Sequence, residues 1–299
     1  MRVLLLALAV LAAGGVSAAE PAEAWLSRMS HALATREYRG VFVYLHDGRI
    51  ETLRVVRTIG PDGARDELVS LSGEPRGVVR ADGELRSTGN GVTTVLPARN
   101  TIVFRVLPAE LLGSASHYRL RVAGEDRVAG YAAAVVEARP TDSDRYGYRF
   151  WIERESGMLL RSVLAAQDGS AIEQLMFTTL ELSPEPEPDP AALATAVAPT
   201  EPLEGPRFRE ALPQGFRLVA VPPVASGRHH YVYSDGIANV SLYVEPLASG
   251  LAPITGGLRR GAINLYGHVA DDRQVVVVGD VPVHTAQRIA VMFDPASVR

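Results

Sequence analysis

The stretch RYGYRFWIERESGMLLRSVLAAQDGSAIEQLMFTTLEL, residues 145–182, decides the fold of the first half of this chain. It contains three runs rich in aromatic and β-branched residues, separated by two turn signals that contain glycine. Glycine adopts positive φ angles without steric cost, so each signal favours a tight reversal of the chain. The stretch therefore predicts a meander of antiparallel strands. The runs cover residues 146–154, 159–165 and 172–182, and the turns are Ser156-Gly157 and Asp168-Gly169.

Side chains alternate in character within the first of these runs. Tyr148, Phe150 and Ile152 lie on one face of the predicted strand, whereas Arg149 and Trp151 point to the other. Successive side chains of a strand point to opposite faces of its sheet, so this strand has one apolar face and one mixed face. We expect a large antiparallel sheet that curls around an apolar interior.

The strand predicted at residues 52–59 alternates in the same way, with Leu53 and Val55 on its apolar face. Only one helix is predicted near this sheet, from the four-residue spacing of apolar residues between Trp25 and Leu33. A sheet face with so little cover suits a hydrophobic ligand, although the same residues also fit an ordinary core. The candidate residues for lining a lipid cavity are Leu53, Val55, Tyr148, Phe150 and Ile152.

All 30 basic residues of the chain are arginines. A guanidinium group is a planar fork that binds phosphate or carboxylate oxygens in pairs. Arg149, Arg154 and Arg161 fall on neighbouring predicted strands, which makes them candidates for contacts with lipid headgroups at the rim of the sheet. The alternative is that they are ordinary solvated surface residues.

The first 19 residues have the three-part pattern of a secretory signal peptide. Arg2 precedes an apolar run, and the small residues Ser17, Ala18 and Ala19 follow it. The run is shorter than the about 20 apolar residues that a membrane-spanning helix needs. We expect cleavage after Ala19 and an exported mature protein that does not itself span the membrane.

Residues 183–206 read SPEPEPDPAALATAVAPTEPLEGP and divide the chain. Proline fixes φ and lacks an amide donor, and the interleaved acidic residues repel one another, so the segment favours an extended linker. It separates an N-terminal domain, residues 20–182, from a C-terminal domain, residues 207–299. Strand patterns followed by a helix after Pro282 predict a smaller α+β second domain. We expect each domain to stay folded without the other.

The residues that usually carry chemistry do not form a recognisable site. The sequence has no Cys, none of its 7 His residues lies in a metal-ligand spacing such as HxxxH or HExxH, and it contains no GxSxG elbow. The formal net charge of −4 argues against binding to nucleic acid. We therefore expect a binding protein that needs no cofactor or metal, and not an enzyme.

Six segments together resemble the RseB/MucB family of periplasmic regulators of the envelope-stress sigma factor. They occur in colinear order and cover nearly the whole predicted mature chain. In the N-terminal domain they are YRGVFVYLHDGRIETLRVVR at residues 38–57, LVSLSGEPRGVVR at 68–80 and the stretch at 145–182 quoted above. In the C-terminal domain they are LPQGFRLVA at 212–220, YSDGIANVSLYVE at 233–245 and VGDVPVHTAQRIA at 278–290.

This resemblance implies an α+β fold, mainly antiparallel β. The N-terminal domain would be a lipid-sensing, unclosed β-barrel like the LolA/LolB lipoprotein carriers, and the smaller C-terminal domain would bind the partner. The implied partner is the periplasmic domain of a membrane anti-sigma factor of the RseA/MucA type. Such proteins shield that partner from regulated proteolysis, and a lipid or lipopolysaccharide fragment releases it.

The alternative function is a periplasmic lipid or lipoprotein carrier. A simple carrier of this type needs only the N-terminal domain, so the second domain favours the regulator. Whether the chain forms a homo-oligomer stays open.

Overall fold

The computed structural model describes residues 20–61, 63–73, 76–81, 84–89, 92–96, 117–183, 203–224, 227–247 and 252–298. The predicted signal peptide, residues 1–19, and most of the predicted linker, residues 184–202, lie outside the described residues, so both stay predictions. Among the helices of the described ranges, none is long and apolar enough to cross a membrane.

The described part of the first domain consists of one helix, α1 at Ala22–Thr35, and one antiparallel sheet of eleven strands. The spatial order is β6-β5-β4-β3-β2-β1-β11-β10-β9-β8-β7, and β6 does not pair with β7 in the described part, so the sheet is unclosed. The meander predicted from residues 145–182 is confirmed as β9, β10 and β11. The strands are β1 Tyr38–His46, β2 Arg49–Gly60, β3 Gly63–Ser70, β4 Arg76–Ala81, β5 Glu84–Gly89, β6 Val92–Leu96, β7 Tyr118–Val128, β8 Tyr131–Pro140, β9 Gly147–Glu153, β10 Leu159–Ala165 and β11 Ala171–Leu182.

The turn between β9 and β10 shows why a predicted glycine is required. Gly157 has a φ of 75°, a conformation that other residues rarely adopt. A Cβ atom at this position would lie 2.9 Å from the backbone oxygen of Arg28 in α1. The glycine therefore allows the hairpin to pack directly against the helix.

The large sheet curls so that distant strands meet on one side. The hydroxyl of Tyr131 on β8 donates to the carbonyl of Leu180 on β11 at 2.9 Å, although β10 and β9 lie between these strands in the sheet. Phe42, Trp151 and Phe177, from β1, β9 and β11, belong to one buried apolar cluster. We call the side of the sheet that carries these three residues the inner face.

Helix α1 covers the opposite side of β8 and β9. Its Leu26 and Met29 are buried in a second apolar cluster together with Val136, Phe150 and Ile152. These three strand residues alternate along β8 and β9 with residues of the inner face. We call the side of the sheet that carries them the helix face.

Strand β7 forms one edge of the sheet and exposes most of its side chains. The exposed charged residues include Arg119, Arg121, Glu125 and Arg127. The pairing of β7 with β8 shifts register between residues 122 and 124, which marks a β-bulge. The edge strand is therefore both charged and irregular.

The second domain is a six-stranded antiparallel sheet in the order β12-β13-β14-β17-β16-β15, packed against helix α2. The predicted α+β domain and the helix after Pro282 are confirmed, and with them the predicted fold class. The elements are β12 Arg217–Ala220, β13 His229–Ser234, β14 Asn239–Pro246, β15 Gly256–Arg260, β16 Ile263–Ala270, β17 Arg273–Gly279, α2 Val283–Met292 and a 3-10 helix at Pro295–Ser297.

The two domains share an interface that the sequence did not predict. The hairpin between β15 and β16 reaches the first domain, where Asp47 accepts the amide of Gly261 at 2.8 Å and Glu173 accepts the amide of Ala262 at 2.6 Å. At Gly261 an added Cβ atom would lie 2.4 Å from a carboxylate oxygen of Glu173. This hairpin therefore fits closely against the tip of the β1–β2 hairpin and β11.

Further polar contacts join the domains near α2. The amide group of Asn264 donates to the hydroxyl of Tyr146 at 2.9 Å, and Arg288 donates to the carboxylate of Asp144 at 2.9 Å. The two domains therefore share a polar interface, and the expectation that each stays folded without the other stays a prediction.

Candidate functional site

The inner face carries a continuous apolar cluster. Leu53 and Val55, two of the predicted lining residues, are buried in it. In the sheet register Phe42 lies directly opposite Leu53 on one side and Phe177 on the other. These two predicted residues thus face the interior of the curled sheet, and their contact with lipid stays a prediction. The other buried members are Tyr38, Tyr44, Leu68, Val128, Ala133, Val135, Trp151, Met158, Leu160 and Leu180.

Trp151 lies on this apolar face but contacts several polar side chains. Its indole N–H donates to the carboxylate of Asp126 at 2.7 Å. The guanidinium carbon of Arg161 lies 4.2 Å from the centroid of the indole ring, and that of Arg149 lies 6.0 Å from it. A cation over an aromatic face is attracted by the ring quadrupole. The structure therefore brings two of the three predicted headgroup arginines together around one aromatic ring.

Glu137 lies beside these arginines, with only 3% of its side chain exposed. It accepts hydrogen bonds from Arg149, from Arg139 at 3.1 Å and from Arg121 at 2.5 Å. Burial alone would raise the pKa of Glu137, but the hydrogen bonds from Arg149 and Arg121 outweigh it and lower the pKa below its ordinary value of 4.5. Three guanidinium groups share one carboxylate here. The cluster of these four side chains therefore carries excess positive charge, which suits an anionic ligand.

Acid should weaken the fold partly through Glu137. Its lowered pKa means that its stabilising contribution is complete above the ordinary value of 4.5 and is lost as the pH falls through the folded-state pKa. We expect the free energy of unfolding, measured with urea at a series of pH values, to decline less steeply below pH 4.5 in Glu137→Gln than in the unchanged protein. Glu181→Gln is the control, because Glu181 pairs with Arg39 on the exposed surface. Equal acid dependence in Glu137→Gln and the unchanged protein would contradict this assignment.

The other three predicted lining residues do not lie on the inner face. Phe150 and Ile152 are buried under α1 on the helix face, and Tyr148 packs against the same cluster. The hydroxyl of Tyr148 donates to Asp280 of the second domain at 2.9 Å. The five predicted lining residues thus form two groups on opposite sides of the sheet. Alternation shows which residues of one strand share a face, but the pairing between strands decides which faces coincide.

Arg154, the third predicted headgroup residue, has a different environment. Its side chain is half exposed and donates to Glu125 at 2.8 Å. Its carbonyl oxygen accepts a hydrogen bond from Arg28 of α1 at 2.6 Å. We therefore favour Arg149 and Arg161 over Arg154 as candidate contacts for an anionic group.

The inner face also holds a charged row that sequence reasoning missed. Tyr38, Arg57, Asp66 and Arg80 occupy directly paired positions on β1 to β4. One nitrogen of Arg57 donates to both oxygens of Asp66 at 2.9 and 3.0 Å, and another donates to the carbonyl of Ala34 at the end of α1 at 3.0 Å. Arg80 binds the same carboxylate, with Nε at 2.9 Å. Arg57 follows Leu53 and Val55 at two-residue spacing, so alternation along the strand predicts that it shares their face. This spacing was the one sequence signal for the row.

Two separate parts of the chain match known domains. Residues 21–197 match the sequence profile of the MucB/RseB N-terminal domain, and residues 207–293 match that of the MucB/RseB C-terminal domain. The chain belongs to the MucB/RseB family. The membership predicted from the six segments is confirmed.

Relatives within the MucB/RseB family match along nearly their whole length. The sigma factor AlgU regulatory protein MucB of Pseudomonas aeruginosa is 32% identical over 313 residues, which cover 98% of this chain and 96% of MucB. The sigma-E factor regulatory protein RseB of Escherichia coli K12 is 25% identical and covers 94% of this chain and 93% of RseB. The structure of MucB in the Pseudomonas aeruginosa MucA/MucB complex has a TM-score of 0.68 at 31% identity, covering 92% of this chain and 98% of that MucB chain. The similarity therefore includes both domains.

Proposed function

We propose that the chain is a periplasmic regulatory protein that binds the periplasmic part of an anti-sigma factor of the RseA/MucA type. The observation that carries this proposal is the similarity of both domains to MucB in its complex with MucA. The names of the relatives, which are regulators of sigma factors, support it. The signal-peptide pattern at residues 1–19 supports a periplasmic location.

In this proposal the bound segment of the anti-sigma factor is protected from proteolysis. A protease cleaves backbone that is extended and accessible, so a segment held in an ordered conformation and covered by the chain is a poor substrate. The protein therefore acts through binding, and release of the partner exposes the cleavage site.

Calorimetry with the purified periplasmic segment of the anti-sigma factor of the same organism tests this function. We expect saturable heat with one defined stoichiometry, and protection of the segment from a site-1 protease in the same mixture. A segment of the same composition in scrambled order is the control. No detectable heat at high micromolar concentration would rule out the proposed regulatory function.

The inner face is the proposed site of the releasing signal. Each CH₂ group of an acyl chain that is buried there contributes about 0.8 kcal/mol. Even a partly enclosed chain therefore supplies more than the roughly 1–3 kcal/mol of a typical coupling between two sites. The position of Arg149 and Arg161 around Trp151 supports a role for them in binding a phosphate headgroup.

Titration of a phosphorylated lipopolysaccharide fragment into the preformed complex tests this second part. We expect partner affinity to fall as lipid binds, and Arg161→Gln to require more lipid for the same release. Arg154→Gln, which removes an exposed arginine paired with Glu125, is the matched control. Lipid binding without any change in partner affinity would instead support the carrier function.

A further inference from the structure

Arg145 has the largest fully buried side chain in the described part of the protein, and this side chain crosses the domain boundary. It leaves the loop at residues 141–146, between β8 and β9 of the first domain. Its Nη1 atom donates to Asp235 at 2.6 Å, and Nη2 donates to the carbonyl of Gln214 at 2.6 Å. Its guanidinium carbon lies 5.2 Å from the ring centroid of Phe216. A cation of the first domain is thus enclosed by groups of the second.

Asp235 is the carboxylate of the second domain that accepts from this cation, and its side chain is also 0% exposed. Asp142, in the same loop as Arg145, accepts from the Nε atom of that arginine at 3.0 Å. One carboxylate oxygen accepts hydrogen bonds from Arg145 and from the hydroxyl of Tyr118 at 3.2 Å. The other oxygen accepts the amides of Ile237 and Ala238 at 2.9 and 2.8 Å. The carboxylate that receives Arg145 therefore also organises the turn between β13 and β14.

The same turn completes the core of the first domain. Ile237 is 1% exposed and belongs to the apolar cluster of the helix face. The same cluster contains Phe150 and Ile152 of β9 and Leu26 of α1. Because Trp151 of β9 lies on the inner face, strand β9 separates the inner face from this turn.

A buried ion pair controls geometry more than it adds affinity. The desolvation of both charges offsets most of their attraction, whereas separating the partners leaves an uncompensated buried charge. Other contacts across the boundary include the hydrogen bond from Tyr148 to Asp280, the half-exposed ion pair of Arg288 with Asp144, and the apolar packing of Ile237. Domains of one chain commonly move relative to each other unless their interface is large and hydrophobic. The ion pair therefore favours one arrangement of the domains strongly over others.

We propose that Arg145 and Asp235 form a latch that fixes the two domains in one arrangement, and that this arrangement is the one that binds the partner. The second half of this inference rests on the function proposed above. Ile237 shares one apolar cluster with Phe150 and Ile152 of β9, so a displacement of β9 by a ligand on the inner face would reach the latch through this cluster. The latch then connects the lipid signal to partner release.

Distances between spin labels test the latch in the full-length chain. The sequence has no Cys, so Thr58→Cys and Gln287→Cys, at exposed positions in the first domain and in α2, place one label in each domain. We expect a single narrow distance distribution in the otherwise unchanged protein. Arg145→Met, which keeps an apolar stem but removes the charge, is expected to broaden it. Tyr118→Phe removes only the hydroxyl that binds Asp235, and we expect a smaller broadening.

The matched control is Arg288→Met, which removes a half-exposed arginine that pairs with Asp144 at the same interface. It is expected to leave the distribution narrow. Partner affinity, measured by calorimetry, should fall roughly 5-fold to 150-fold in Arg145→Met, the range of a typical coupling between sites.

A narrow distribution in both latch variants, with circular dichroism showing that they are folded, would overturn the latch. If Arg145→Met does not fold, the width of the distance distribution in Tyr118→Phe decides whether the latch is supported or overturned. A broadened distribution with unchanged partner affinity would overturn the link to binding. If the unchanged protein binds no anti-sigma segment, the proposed function fails while the distances still report on the latch.

Discussion

Asp66→Ala should lower the free energy of unfolding by about 3–5 kcal/mol, because it leaves a buried charge without its partner. Arg57 is 5% exposed and Asp66 is 0% exposed, and the two form a hydrogen-bonded ion pair on the inner face. Without the carboxylate, Arg57 and Arg80 repel each other in a site that water reaches poorly. Arg57 also holds the carbonyl of Ala34, so the end of α1 should loosen as well. Urea unfolding followed by circular dichroism measures the loss.

Glu67→Ala is the matched control for this prediction. Glu67 is the next residue of the same strand, but its side chain points to the other face and pairs with Arg65 in solvent. Exposed ion pairs contribute about 0–1 kcal/mol, so the control should change stability little. A loss of less than about 1 kcal/mol in Asp66→Ala would show that the charged row is not a structural element.

Ile237→Ala should cost about 2–5 kcal/mol of stability, the usual range for truncating a fully buried isoleucine. The expected location of the effect is more informative than its size. Ile237 belongs to the second domain by sequence but is buried in the core of the first. The two tryptophans of the chain, Trp25 and Trp151, both lie in the first domain, so their fluorescence reports its unfolding alone. We expect the transition measured by fluorescence to shift to lower urea concentration.

Ile50→Ala controls for the substitution itself, because Ile50 is exposed on β2 and its loss should change stability by no more than about 0.5 kcal/mol. If Ile237→Ala left the fluorescence transition unchanged while circular dichroism showed a less stable second domain, the domains would unfold independently. That result would support the expectation, drawn from the linker sequence, that each domain stays folded without the other.

Local patterns were sufficient to predict part of the first sheet, including β2 and the meander of β9, β10 and β11. Alternation in residues 146–154 and the glycine of the following turn depend only on neighbours in sequence, so β9 and its hairpin were predictable. The same information could not relate Phe150 to Leu53, because their relation depends on how the sheet pairs and curls. Leu53 lies on the inner face and Phe150 on the helix face.

The interface between the domains was hidden for a similar reason. Asp235 and Gly236 predict only a turn between two strands, since such residues mark turns in most proteins. Arg145 ends a polar loop directly before the predicted strand at residues 146–154, and the alternation of that strand does not indicate a contact with the second domain. Only the packing of one domain on the other buries these residues, and no local signal in either segment records that packing.

The charged and bulged edge strand β7 affects whether copies of the protein associate with one another. An unclosed sheet ends in a row of free backbone groups, which can recruit a strand from another molecule and start aggregation. The bulge between residues 122 and 124 breaks the regular spacing of the hydrogen bonds that a second β7 would have to form. This irregularity disfavours the addition of strands from other molecules at β7. An open sheet whose edge resists such pairing suits a protein that acts as a dispersed regulator.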